Sequence, residues 1–131
     1  MSEWQWLARD VILAIHDEQL AEHGGRPGIR DIGLLEAALA RPLNRAAYGE
    51  VTVFDLAAAY AVGVVRNPPF VDGNKRVAFL AAALFLVEHD FEVIASDDAV
   101  VASMLSLAEG AMDEEGYALW LRNSSAPRRN A

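Results

Sequence analysis

Two stretches of this chain have no polar side. From Phe54 to Val65 the only charged residue is Asp55, and from Val77 to Val87 every residue is apolar. Both stretches are rich in alanine and leucine, while β-branched clusters are short and alternating strand patterns scarce, so both read as helices. A helix that is apolar all round must be covered by protein all round. Each run is too short to cross a bilayer, which takes about 20 apolar residues. The chain is therefore expected to fold as an all-α single domain, about six helices around two buried central ones.

The remaining elements follow from local signals. Val11, Ile12, Ile15 and Leu20 recur at helical spacing and predict a first helix from Arg9 to Glu22, ended by Gly24-Gly25. Arg26-Pro27-Gly28 reads as a turn. Asp31 can cap a second helix from Ile32 to Ala40, with Pro42 expected to close it. Thr52 can cap the third, which Asn67-Pro68-Pro69 stops after Arg66. The fourth helix starts at Asn74 and reaches His89, and Phe91 to Ile94 reads as a short extended piece. Ser96, Asp97 and Asp98 offer caps for a fifth helix ending at Glu109. Asp113 to Arg122 is the sixth, with Tyr117, Trp120 and Leu121 on its docking side. Residues 1 to 122 thus read as one domain, and the polar segment from Asn123 to Ala131 as a flexible tail.

Composition narrows the function classes. There is no cysteine, hence no disulfide framework and no thiolate metal site. The N-terminal Met1-Ser2-Glu3-Trp4-Gln5-Trp6 has neither a basic segment nor a long apolar one, so no signal peptide is read and a cytoplasmic location is expected. A formal net charge of −8 repels a phosphate backbone, and direct DNA binding is not expected. Nor is membrane association.

Against that acidic background, the basic pair Lys75-Arg76 stands out. It follows the connector Asn67-Pro68-Pro69-Phe70-Val71-Asp72-Gly73-Asn74 between the two apolar runs. Phe70 is expected to anchor this connector in the core. Gly73 permits positive φ and close approach of a ligand to the backbone. The helix beginning at Asn74 then presents its unpaired amides and positive dipole end, which together bind phosphate. Lys75 and Arg76 add charge-assisted donors. Asp72 could hold Mg2+, an ion that commonly takes one or two carboxylates alongside phosphate oxygens.

Phe70-Val71-Asp72-Gly73-Asn74-Lys75-Arg76 resembles the core of the Fic/Doc motif, His-x-Phe-x-Asp-Gly-Asn-Lys/Gly-Arg. The segment from Gly25 to Pro42 and the run Ala14-Ile15-His16-Asp17 are similar to Doc-type members of the same family. The resemblance implies the helical Fic/Doc fold and transfer of part of a nucleotide onto a protein hydroxyl. Fic members usually move AMP and carry glycine after the asparagine. Doc-type members carry lysine there, as Lys75 does here, and resemble kinases that use ATP to phosphorylate a threonine of elongation factor Tu, stopping translation. By resemblance, Gly73, Asn74, Lys75 and Arg76 hold the nucleotide, Asp72 the Mg2+ and Phe70 the loop. Doc-type toxins are paired with an antitoxin, whose disordered segment orders on binding. Trp4, Trp6 and Trp120 are candidates either for lining that groove or for completing the core. The self-blocking motif of some Fic proteins is not met, since Leu105 stands where it needs a hydroxyl before Glu109-Gly110.

One position departs from the motif. Its histidine, two residues before the phenylalanine, takes the proton from the attacking hydroxyl; here that position is Pro68. Proline cannot accept a proton, and general-base help is worth about 10²–10⁴-fold in rate. Asn67 is not basic, and Asp72 is assigned to the metal. His16, His23 and His89 lie elsewhere in the sequence, with His16 the one worth testing. Weak or absent transfer is expected, with nucleotide binding retained. A proline there fits an introduced inactivating change, or a natural regulator that binds nucleotide or a partner without catalysis. An AMP-transferring enzyme is the remaining alternative, disfavoured by Lys75.

Overall fold

The computed structural model describes residues 4 to 128. Among the described residues there are six helices: α1 (Arg9–His23), α2 (Ile32–Ala47), α3 (Val53–Arg66), α4 (Asn74–Glu88), α5 (Asp97–Glu109) and α6 (Glu114–Asn123). Two short strands, β1 (Phe91–Val93) and β2 (Ser125–Pro127), complete the chain order, β1 after α4 and β2 after α6.

Helix α3 is the axis, as its apolar circumference requires. Residues 56 to 65 are all buried, and the helix packs against α2, α4, α5 and α6. A capping box starts it: the Thr52 hydroxyl accepts from Asp55 N–H at 3.2 Å, and the Asp55 carboxylate accepts from Thr52 N–H at 2.8 Å. Helix α4 is less enclosed than its sequence suggests. Val77, Ala78, Ala81, Ala82, Phe85 and Leu86 are buried, whereas Phe79, Leu80, Leu84 and Val87 are only half-buried.

Two boundaries are corrected. Pro42 does not close α2, which runs to Ala47 with Pro42 buried inside it. The cost of an interior proline is a lost hydrogen bond to the carbonyl four residues earlier, here Ala38. That carbonyl lies against α3: a Cβ added at Gly63 would stand 3.2 Å from Ala38 O and 2.9 Å from Ala38 Cα. With only hydrogen at Gly63, the two helices touch through their backbones.

The second concerns the expected tail. Residues Ser125–Pro127 pair antiparallel with β1, in the register Phe91↔Pro127, Glu92↔Ala126 and Val93↔Ser125. Arg128 N–H then donates to Asp90 O at 2.7 Å. Strand pairing of two distant segments leaves little trace in composition, and Pro127 fits because the strand lies at an edge. The rest of the expected tail, residues 129 to 131, lies outside the described residues. Of the three tryptophans, Trp4 and Trp120 pack against the core, while Trp6 stacks on Phe85 with 37% of its surface exposed. No described helix is long and apolar enough to cross a membrane.

Candidate phosphate-binding site

Between α3 and α4 the chain must turn without helical hydrogen bonds, so its polar backbone needs other partners. It finds them on three sides. Residues 28 to 31, just ahead of α2, run alongside it. Val71 N–H donates to Gly28 O at 3.1 Å, while Arg30 N–H and Asp31 N–H donate to Pro69 O at 2.7 and 3.1 Å. These bonds flank an antiparallel bridge between Ile29 and Phe70. The Arg30 guanidinium adds a fork, with Nε and Nη2 donating to Pro68 O at 3.0 and 2.5 Å.

The second support comes from within the loop. Asn74 Oδ1 accepts from Phe70 N–H and its Nδ2 donates to Phe70 O, both at 3.0 Å. The Asn74 side chain is thus engaged within the loop itself. It is committed to the loop's own backbone, and what it leaves open is the main-chain N–H and the second Nδ2 proton.

The third support is α1. His16, 3% exposed, lies beneath the loop, its Nε2 2.9 Å from Asp72 O and its ring stacked on Phe70 with centroids 3.9 Å apart. Phe70 is itself buried, as expected. The sequence-based view that all three histidines lie apart from the loop therefore fails for His16. It holds for His89, whose ring bridges Phe85 O and Gln5 N–H, and for His23, which sits beside Glu22 at the end of α1.

Asp72 braces the turn on its outer side. One carboxylate oxygen accepts from Arg26 N–H at 3.1 Å and the other from Gly73 N–H at 2.9 Å. Gly25, at φ 125°, is what lets Asp72 come so near, since a Cβ there would stand 3.0 Å from Asp72 Oδ2. The amide bonds from Arg26 and then Gly73 hold the Asp72 carboxyl below its usual range, with smaller help from the Arg26 and Arg76 charges. The carboxylate is exposed and stays charged, and each oxygen keeps a lone pair, so it suits one coordination position on Mg2+. Among the described residues no group of three or more carboxylate or histidine side chains could hold a metal alone. A magnesium ion bound largely through phosphate oxygens and water needs no such group.

What remains open is the start of α4. Gly73 is its N-cap in the left-handed conformation (φ 80°, ψ 11°), with no side-chain cap. Among the described residues, nothing accepts from the main-chain N–H groups of Asn74, Lys75 or Arg76. Lys75 and Arg76 are exposed and form no salt bridge among the described residues. Arg76 and Arg26 both stand close enough to act on the Asp72 charge. Three amides without protein partners among the described residues, a positive helix end and flanking cations make a surface of the kind that suits an anion. A separate cavity of about 730 Å³ lies between the second half of α2 and the start of α6, lined by Arg41, Arg45 and Glu114 among others. Arg41 and Arg45 there are paired with Glu114, and Arg66 donates to Met112 O at 2.9 Å.

Pro68, at the motif's histidine position, is half-buried with its carbonyl in the Arg30 fork. The charged side chain bonded to it is that of Arg30, which has no lone pair to accept a proton. Arg26, Arg30 and His16 are the loop's braces that sequence reasoning did not assign. Their only sequence signal was membership of segments similar to Doc-type proteins.

The Fic/DOC family model matches residues 6–86. The chain is 37% identical over 93 residues to "Protein kinase doc" of Escherichia phage P1, covering 70% of this chain and 74% of that protein. It is 42% identical over 84 residues to "Toxin Doc" of Mycolicibacterium smegmatis, covering 57% of this chain and 64% of that protein.

Proposed function

Since this chain belongs to the Fic/DOC family, we propose that it is a Doc-type toxin protein which keeps the nucleotide-binding half of its site and lacks the proton-accepting half. The observation that carries this reading is the open start of α4: three amides without protein partners, held outward by a left-handed Gly73, beside Lys75 and Arg76. These donors suit the phosphates of ATP, with Asp72 available to a Mg2+ ion that screens their charge. Arg76 can take two phosphate oxygens at once, and Lys75 acts as a point charge.

Phosphoryl transfer depends on positioning and electrostatic stabilisation, with a further contribution from the residue that accepts the hydroxyl proton. Position 68 offers none. Asp72 is a poor base because its carboxyl is held low. His16 is buried beneath the loop with its Nε2 against the Asp72 carbonyl, away from the surface an acceptor hydroxyl would approach. Transfer by this chain is therefore weak or absent, while binding persists. With a histidine at 68 the reaction would be phosphorylation of a protein threonine, elongation factor Tu being the expected acceptor. An antitoxin with a segment that orders on binding is the expected partner, and the cytoplasm the expected location.

Pro68 also favours a second reading, a regulator that binds nucleotide or a partner without catalysis. AMP transfer is disfavoured by Lys75. Calorimetric titration with Mg-ATP tests the binding claim: saturable heat is expected, and none at millimolar nucleotide removes it. Pro68→His tests the toxin reading. Gain of phosphoryl transfer or growth arrest is expected, and an inert, folded revertant that still binds nucleotide favours the regulator.

A further inference from the structure

We propose that His16 is the positioning residue of the phosphate loop, and that it acts by donating its Nε2 proton to the Asp72 carbonyl; this rests on the nucleotide-binding reading above. A carbonyl oxygen can only accept, so the 2.9 Å contact requires the proton on Nε2. The Asp72 carbonyl belongs to the same peptide unit as the Gly73 N–H, and that N–H is itself held by the Asp72 carboxylate at 2.9 Å. The peptide plane entering the left-handed residue is thus gripped at both its polar atoms. Its orientation sets the direction in which the amides of Asn74, Lys75 and Arg76 point.

The imidazole fits this task in two further ways. Its face lies on Phe70 at an interplanar angle of 11°, so the ring cannot swing away without opening the core. Its Cδ2 would be 3.7 Å from a Cβ at Gly73, which places the ring directly under the bend. A histidine needed only to fill space would be replaceable by an apolar ring. A buried polar ring with its hydrogen bond spent on the one peptide that aims the anion site is doing something an apolar ring cannot.

The test separates the ring from the proton. His16→Phe keeps a stacking ring and loses the donor; His16→Gln loses the ring and keeps an amide N–H near the Nε2 position. The readouts are the thermal midpoint, the calorimetric affinity for Mg-ATP, and the nucleotide-free amide NMR resonances of Gly73, Asn74 and Lys75. His16→Phe is expected to hold its midpoint, weaken Mg-ATP at least about tenfold, and shift the three resonances. His16→Gln is expected to retain most of the affinity and the native resonances despite a lower midpoint. A Phe variant with native affinity and resonances overturns the inference, as does affinity that merely follows the midpoint across both variants. Should the Phe variant fail to fold, His16→Asn, whose amide is too short to reach the carbonyl, takes its place. Absence of Mg-ATP binding by the unmodified chain counts against the nucleotide reading instead, and the resonances then decide the positioning role by themselves.

Discussion

Asn74 is joined to Phe70 twice, accepting from its N–H and donating to its carbonyl, each at 3.0 Å. One side chain thereby satisfies both backbone groups of the residue that plugs the loop into the core. Removing it leaves two partly buried polar groups without partners. Asn74→Ala is expected to destabilise the fold by about 1–3 kcal/mol in urea unfolding. It should also weaken Mg-ATP, although the phosphate-facing main-chain N–H is still present. Unchanged stability would show that the loop does not depend on this staple.

The contact between α2 and α3 makes a prediction remote from the site. Gly63→Ala places a methyl group 2.9 Å from the Cα of Ala38, a backbone atom that cannot move aside without shifting a helix. Overpacking of this kind costs about 1–3 kcal/mol, occasionally more. Denaturant unfolding should show a lower midpoint, with nucleotide affinity little changed in the folded fraction.

Tyr117 is fully buried, and its hydroxyl has no hydrogen-bond partner among the described residues. An unsatisfied buried polar atom is a liability that the shape-conserving Tyr117→Phe removes. The variant is expected to be more stable by about 1 kcal/mol. A loss of similar size would reveal a partner for the hydroxyl in solution.

Burial raises the ionisation of Tyr117 and of Tyr60 above the ordinary value of 10.0, the latter opposed in part by the hydrogen bond from Leu7 N–H. Unfolded tyrosines release their protons near 10 while these two retain them. Their contribution to stability is therefore complete below pH 10 and is lost as pH rises through and beyond it. Urea midpoints measured from neutral to strongly alkaline pH should fall over that window, and less steeply in Tyr117→Phe.

At the other end of the pH scale Asp72 has the opposite sign. Its carboxyl is held below the ordinary 3.8, so the bonds to Arg26 and Gly73 N–H are complete above that value and lost as pH falls below it. The amide resonances of Arg26 and Gly73 should titrate together at low pH. Independent midpoints for the two would show that they do not share this carboxylate.

Most of the helical framework was legible in the residues because its causes are local. The apolar circumference of Phe54 to Val65 forces α3 into the centre, and Thr52, Asp31, Ser96 and Asp113 each cap the helix they precede. The bend at Gly73 and the basic pair after it were legible for the same reason, as was the absence of a base at Pro68. Pro42 misled because its local meaning is a helix stop, whereas in the fold it is buried inside α2, one turn after the Ala38 that packs on Gly63 of α3.

The braces of the loop could not be read in this way. His16 meets Asp72 across 56 residues, Arg26 meets it across 46, and Arg30 reaches Pro68 across 38. The sequence by itself determined which segments become helices, which of them lie inside, and where the glycine bend and its basic pair stand. Only the tertiary structure decided which side chains hold that loop in shape, because hydrogen bonds between distant residues depend on how helices pack, and packing is a property of the assembled core rather than of any neighbourhood along the chain.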